Sequence, residues 1–401
     1  MASTLASMDA KRRLDALRIL VLGGGVAALE AMLTLRRLVA GRAAIRLIAP
    51  QREFVYRSLA IAEPFGLGRV HRFDLPSLAR GAGVELVPAR VVAVAPEERT
   101  VMTDDGRSLD YDILVVASGA RRRVALPGTI TLWGVADGTV IGPLLADLER
   151  GAARRVVFAV HADAAWPVPL YELALLTAAH LGDTDSRRRT VLVVTHEASA
   201  LEMLGRDASR GVRGLLEARG IEHLASRNPT AFRDGLLRTE RGAVRADRVV
   251  TMPRLEGPAV EGLPTDDRGF IHVDRLGRVP GAPDVYAAGD ATTLPISSGG
   301  LAGEHAHAVA RTVAAATGAS VETRPFRPIL RGTVLTARRQ AGGRPADDSS
   351  VAIAEMLWWP RDGIGGRHLT THLAGIAGSS LTPPEPADGG ATVEVELPAA
   401  A

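Results

Sequence analysis

The chain of 401 residues is predicted to be α/β: a parallel-sheet unit interrupted by a second, inserted α/β unit and followed by a small α+β cap. Three observations predict it. The stretch Leu17–Glu30, LRILVLGGGVAALE, reads as a buried strand, a tight glycine turn and the start of a helix. Nearly the full chain away, Asp284–Ala288 is a short strand that ends in Gly289-Asp290, with a helix to follow over 299–318. Between them, residues 124–258 alternate strand and helix again, the pattern of a second βαβ layer.

In the first stretch Gly23, Gly25 and Ala28 stand at the G-x-G-x-x-G/A spacing, with Gly24, Val26 and Ala27 between them. The first small residue permits the sharp turn. The second lets a pyrophosphate reach the backbone, and the third lets helix and strand pack closely. The helix start then offers unpaired N–H groups and the positive end of a dipole. A glycine-rich turn made only for packing has the same spacing. The late PDVYAAGD segment, at the opposite end of the chain, shifts the balance toward a dinucleotide.

Together GGGVAALE, the stretch YDILVVASGA (111–120), RGFIHVDRLGRV (268–279) and VYAAGDATTLP (285–295) resemble, in order, the motifs of the flavoproteins with two dinucleotide-binding domains. That superfamily holds the FAD-dependent pyridine nucleotide oxidoreductases, including glutathione-reductase-like enzymes, type II NADH dehydrogenases and sulfide:quinone reductases. The resemblance covers about residues 16–320. It implies a three-layer ββα Rossmann-like FAD domain over 16–123 plus 259–320, an inserted NAD(P)H-like or substrate domain over 124–258, and a cap over 321–382. It also implies FAD as cofactor, held by Gly23–Ala28, by Pro50, Gln51 and Arg52, by Arg57 and Val91, and by Ala117, Ser118 and Gly119. Gly289, Asp290, Gly300, Leu301 and Ala302 complete the set, with the Asp290 carboxylate accepting from a ribityl hydroxyl.

Composition removes part of that superfamily's chemistry. There is no cysteine, so no redox disulfide, persulfide relay, thiolate nucleophile or iron–sulfur ligand set exists. The net charge of +3 rests almost wholly on arginine, Lys11 being the single lysine. Arginine serves neither as a base nor as a Schiff-base amine. Clusters such as Arg121–Arg123 and Arg187–Arg189 read as solvated loop charge, with phosphate or anionic lipid as the other reading. No nucleic-acid partner is expected. No run approaches the ~18 apolar residues of a membrane span, and no signal peptide is read in residues 1–15, taken as a flexible lead. The expectation is a cytoplasmic protein, with peripheral membrane contact and a homodimer left open.

In order, the strand over 17–22 leads to an apolar helix from Val26 to about Ala40 and a strand over Ala44–Ala49. Such a strand usually ends in Asp or Glu for a ribose; here Ala49 is followed by Pro50-Gln51-Arg52. The segment Glu53–Gly66 either runs beneath the flavin ring, with Tyr56, Arg57 and Ser58 as neighbours, or is an apolar helix. Strand pieces follow over 84–94, with a polar hairpin turn over 97–106. In the inserted unit, strands are expected at Arg155–Val160, Thr190–Thr195 and Val244–Met252, and helices at Leu170–Leu181 and Val212–Arg219. The turn after its first strand is His161-Ala162-Asp163-Ala164-Ala165-Trp166-Pro167. It has no glycine, and Pro167 and Pro169 lack N–H groups. NAD(P)H is therefore expected to bind weakly or differently, with Glu197 as a ribose contact or a solvated acid.

Four residues are candidates for catalysis. Glu172, by resemblance, faces the flavin–nicotinamide junction, where burial would raise its pKa for proton relay; the other reading is an exposed helical acid. Glu304 and His305 lie in the first turns of the late helix, as proton donor or as helix charge and core histidine. His307 carries the same two readings as His305. Trp358, beside Trp359, lines the acceptor pocket or packs in the core. In the cap, Pro325–Leu335 begins a strand-like piece, Gly342–Ser350 is a polar loop and 363–377 is mildly amphipathic. Residues after Leu381 are read as a disordered tail, 383–401. The predicted activity is hydride or electron-pair transfer through flavin N5, from NAD(P)H to a quinone-like or other small-molecule acceptor. Two alternatives stand: a flavin oxidase or dehydrogenase of an organic metabolite with no nicotinamide step, and a non-enzymatic flavoprotein.

Overall fold

The computed structural model describes residues 17–57, 60–66, 70–133, 138–183, 189–335, 357–360, 366–378, 381 and 390–398. Ser58, the lead over 1–15 and the loop over 342–350 lie outside the described residues.

Two parallel sheets dominate. The first holds β1 (Leu17–Leu22), β2 (Ala43–Ile48), β5 (Glu85–Val87), β9 (Ile113–Val116) and β20 (Val285–Ala287), in the order β20-β9-β1-β2-β5. The alternation of β1 explains its two faces. Ile19 and Val21 pack on the helices α1 (Val26–Val39) and α6 (Gly299–Ala316). Leu20 and Leu22 pack instead on a three-stranded antiparallel layer, β6 (Val91–Ala95), β7 (Thr100–Thr103) and β8 (Ser108–Asp110). This gives the ββα three-layer unit. A strand buried on both faces must be apolar throughout, which is why β1 and β9 read as continuous hydrophobic runs.

The second sheet has the order β11-β18-β12-β13-β14, with β11 (Ile130–Thr131), β12 (Arg155–Val160), β13 (Thr190–Thr195), β14 (Glu222–Leu224) and β18 (Arg248–Thr251). Its Phe158 and Val160 face a core shared with α3 (Gly138–Arg150), α4 (Val168–Asp183) and α5 (Arg206–Ala218). Val157 and Ala159 face an antiparallel sheet of β15 (Pro229–Arg233), β16 (Leu236–Thr239) and β17 (Gly242–Arg245). An antiparallel ribbon of β10 (Arg121–Arg123) and β19 (Arg254–Glu256) runs where the chain passes between the two units.

The cap sheet has the order β22-β21-β23, with β21 (Ile329–Leu335), β22 (Trp358–Pro360) and β23 (Gly390–Glu396). Leu330, Val334, Val393 and Leu397 join the core of the second unit. Leu369 and Leu373 of α7 (Leu369–Ala377) join that of the first. The cap is thus anchored on both units.

Three expectations are corrected. The stretch Val244–Met252 is not one strand: β17 ends at Arg245, and the Asp247 carboxylate accepts the N–H groups of Arg154 and Arg155 at 2.7 and 2.9 Å before β18 begins. The stretch Glu53–Gly66 is no apolar helix; Glu53–Tyr56 is strand β3, paired with β4 (His71–Asp74), and Glu63–Phe65 is a single 3₁₀ turn. The tail is not structureless, because residues 390–396 pair with β21 along its full length. The alternation Thr392-Val393-Glu394-Val395-Glu396 carries that strand pattern.

Candidate functional site

Strand order in the first sheet reverses at β1, and clefts form outside the C-terminal ends of strands at such reversals. The turn there needs each glycine for a different reason. Gly23 has φ 121°, and a Cβ on it would lie 2.2 Å from the Ala117 carbonyl oxygen. A Cβ on Gly24 would lie 2.2 Å from Gln51 Nε2 and 2.9 Å from Leu75 Cδ2. Gly25 is the N-cap of α1 with open space where its Cβ would be. No side chain caps the helix, and its first turn holds no acid. The first N–H groups of α1 have no intrahelical acceptor and stand at a cleft of about 810 Å³, within the roughly 300–1,000 Å³ of small-molecule sites.

Many of the sequence candidates meet in this one cleft. Its lining includes Gly23, Gly24, Gly25, Val26, Ala27, Pro50, Gln51, Arg57, Val91, Ala117, Ser118, Gly119, Asp290 and Ala302, and also Glu172 and Trp358. The others lie outside the lining. Ala28 and Leu301 are core residues. Arg52 is exposed and its carbonyl accepts the Leu75 N–H at the start of α2 (Leu75–Gly81). Gly300 sits one residue inside α6, whose cleft-facing residues are Gly299 and Ala302. Gly289, at φ 68°, is a close-approach residue: a Cβ there would lie 2.6 Å from that of Ala27. Glu304 turns toward the cap, with Arg331 Nη1 at 3.7 Å.

His305 is also corrected. It is 2% exposed, stacks on Phe326 at 4.5 Å and accepts the Gly289 N–H on Nδ1 at 3.3 Å. Burial pushes its pKa down to about 4. A neutral ring in that position is a holder of the 289–290 turn, not a proton donor to the cleft.

Asp290 and Glu172 are the two deeply placed acids of the cleft; the third acid of its lining, Glu53, is exposed and pairs with Arg72. Asp290 Oδ2 accepts the Ser297 hydroxyl at 2.5 Å, while buried Oδ1 has no partner among the described residues. Burial raises the Asp290 pKa, opposed by the Ser297 hydrogen bond and by the charges of Arg122 and Arg57. Glu172 projects from the first turns of α4, and its Oε1 accepts the Leu357 N–H from the cap at 2.9 Å. Burial pushes its pKa up to about 7, against the opposing backbone hydrogen bonds of Leu357 and Trp358. Trp358 packs edge-on against Trp166 with ring centroids 5.7 Å apart.

Sequence reading missed Trp166 as a site residue, and with it Trp133 and Met252, all part of the lining; Arg122, read within the Arg121–Arg123 cluster as solvated loop charge or a phosphate contact, lines the cleft as well. Trp166 had a signal, since a large aromatic replaces glycine in the turn after β12. Trp133 and Met252 follow the ends of β11 and β18, and no local pattern records which strand ends meet the cleft. Glu197 is corrected too. It is 4% exposed, and its Oε2 accepts the Tyr171 hydroxyl at 2.6 Å and the Thr195 hydroxyl at 2.9 Å.

Two parallel sheets, each with a strand-order reversal, and a cleft between an open glycine turn and a buried acid define a two-dinucleotide-fold oxidoreductase architecture. The chain belongs to the pyridine nucleotide-disulphide oxidoreductase family, whose model matches residues 17–149 and 171–320. It is 31% identical over 122 residues to the mitochondrial sulfide:quinone oxidoreductase of Dictyostelium discoideum, covering 29% of this chain and 26% of that protein. It is 26% identical over 230 residues to apoptosis-inducing factor 3 of Mus musculus, covering 54% and 36%. The matches thus span well under half the length of these relatives. Among solved structures, the sulfide:quinone oxidoreductase of Aquifex aeolicus shares the fold with a TM-score of 0.71 at 20% identity, over 80% of this chain and 81% of that one. The ferredoxin reductase of Rhodopseudomonas palustris does so with 0.61 at 20%, over 78% and 79%. No helix among the described residues is long and apolar enough to cross a membrane.

Proposed function

We propose that the protein is an FAD-dependent oxidoreductase that passes a hydride or electron pair through flavin N5 to a quinone-like or other small-molecule acceptor. One observation carries this reading: a single cleft joins the start of α1 to a buried Asp290 oxygen that lacks a donor among the described residues. A buried acceptor left unpaired costs about 1–3 kcal/mol or more when charged. A ribityl hydroxyl of a bound FAD would remove that cost. The residues present fit the rest of the molecule as well. The α1 amides suit the pyrophosphate, Gln51 and the Val91 backbone suit the adenosine end, and the α6 start at Gly299–Ala302 suits the pyrimidine end of the ring.

When bound, FAD would supply the two-electron chemistry at N5. The chain positions, excludes water and handles protons. Glu172 is the proton-handling group, because its carboxyl is held near neutrality while its backbone partners fix its direction. Trp166 and Trp358 form an apolar wall beside it. Without cysteine, the disulphide half of the family's chemistry has no residue to act through.

The test is the visible spectrum of purified protein, followed by anaerobic photoreduction and addition of menadione. The reading expects a bound flavin released as FAD on denaturation, and reoxidation by menadione that saturates with its concentration. Colourless protein that takes up no added FAD overturns it.

A further inference from the structure

We infer that the inserted unit holds no pyridine nucleotide, so that the flavin takes its electrons from a donor other than NADH or NADPH. This rests on the FAD reading above. It deepens that reading by naming what the donor is not.

The two sheets allow a direct comparison, because each reverses its strand order at one strand, β1 in the first and β12 in the second. Each reversal is the place where a dinucleotide would lie. At β1 the turn is three glycines, and Gly25 leaves the start of α1 open. At β12 the equivalent turn is closed by its own chain. The Ala162 N–H donates to Asn228 Oδ1 at 3.0 Å, and the Ala164 N–H donates to the His161 carbonyl at 3.0 Å. Pro167 and Pro169 have no N–H to offer. A pyrophosphate there meets two engaged donors, two positions with no N–H and no glycine to let it approach the backbone, where the first turn offers three glycines in a row.

Charge and the ribose contact point the same way. Asp163 places a carboxylate in the turn, and the nearby guanidinium of Arg268, 3.8 Å from it, is balanced by that carboxylate and leaves no surplus positive charge for a diphosphate. Glu197, just past β13, is the acid placed to hold a ribose, yet both hydroxyls it accepts from belong to the protein, those of Tyr171 and Thr195. Turning it outward would leave the Tyr171 hydroxyl, itself deeply buried, without its acceptor.

The closed turn has a different use. The Ala165 carbonyl accepts the Ser297 N–H at 3.4 Å, and the Ser297 hydroxyl donates to Asp290. Trp166, from the same turn, packs on Trp358. The segment that binds a nucleotide at β1 is, at β12, joined to the loop that fixes Asp290 and to the wall beside Glu172. The turn therefore serves as part of the wall of the flavin cleft, and not as a second dinucleotide site.

The test uses the full-length protein as purified. NADH, NADPH and NAD⁺ are titrated separately by calorimetry, and NADH and NADPH are mixed with the holoprotein anaerobically while the flavin band is followed. The inference expects no saturable heat up to millimolar nucleotide, and bleaching no faster than that of free FAD under the same conditions. Photoreduction in the same cell should bleach the flavin fully. Saturable binding of any of the three, or bleaching that saturates with NADH or NADPH, overturns the inference and leaves the FAD reading standing. Protein that carries no flavin sinks the FAD reading, while the calorimetric result on the inserted unit still stands or falls by itself.

Discussion

The Glu172 carboxylate and the Leu357 backbone N–H, 185 residues apart in the chain, meet at 2.9 Å in a buried hydrogen bond. That bond ties the first turns of α4 to the start of the cap. Together with the Trp358 backbone, it opposes the burial that raises the Glu172 pKa, in the balance that leaves that pKa about 7. One contact therefore fixes both where the acid points and how readily it holds a proton.

Glu172→Gln keeps the acceptor for Leu357 and removes the proton. Turnover with the acceptor is expected to fall ~10²–10⁴-fold, with the flavin spectrum unchanged. Stability should respond in the opposite sense. The folded pKa of about 7 lies above the ordinary 4.5, so the folded wild type binds more protons between those values and loses stability as pH rises across them. The variant escapes that loss. Its advantage in thermal melts should grow from pH 4.5 to 7 and level near roughly 3 kcal/mol. Melting curves that stay parallel across the window would refute the assignment.

The glycine turn separates a folding role from a binding role. In Gly23→Ala, a Cβ meets the Ala117 carbonyl oxygen at 2.2 Å with φ at 121°, and the backbone on both sides must move. A loss of more than ~2 kcal/mol is expected. At Gly25 there is open space and an ordinary φ of −94°. Gly25→Val should fold with a melting temperature close to that of the wild-type apoprotein, yet bind FAD at least ~10-fold more weakly, because its side chain enters the cleft. Equal FAD affinity in Gly25→Val would show that no phosphate approaches that backbone.

Why some of this was readable in the sequence and some was not follows from the range of each interaction. The β1 turn is legible because its demands are local: spacing, size and positive φ are all set within six residues. The Asp290 segment is legible because a strand and a helix flank it. The roles of Glu304 and His305 are not, since two neighbours on one helix turn differ only in what packs against them: Arg331 in one case, Phe326 and Gly289 in the other. The strand β23 was hidden by its setting. Its alternating Thr, Val and Glu follow a stretch of Pro, Ala and Gly, and its partner β21 lies about sixty residues earlier.

That strand yields a stability prediction. Chain termination after Leu381 removes β23 and exposes Leu330 and Val334, which pack with Val393 and Leu397. Burial of each such side chain contributes roughly 1.5–3 kcal/mol, and the backbone of β21 loses a partner along seven residues. The truncated chain should melt well below the full chain and bind the apolar dye ANS. An unchanged melting temperature would show that β23 adds nothing to the cap.

His305 offers the last test, through the turn it holds. The Gly289 N–H has His305 Nδ1 as its acceptor at 3.3 Å, and Gly289 is the residue before Asp290. His305→Ala leaves that N–H buried without a partner and a cavity beside Phe326, so both stability and FAD affinity should fall. His305→Asn restores an acceptor at nearly the same place, and FAD affinity should recover further than stability, since the ring contact with Phe326 stays lost. The pH dependence gives an independent reading. The folded pKa of about 4 lies below the ordinary 6.5, so the unfolded chain binds more protons in that window and the wild type loses stability as pH falls from 6.5 toward 4. That trend runs against the one from Glu172, and over pH 4.5–6.5 the two nearly offset each other. Replacing His305 alone should therefore uncover a decline in stability with rising pH, and replacing Glu172 alone a rise. Identical pH profiles for the wild type and both single variants would remove the basis for assigning either residue its place.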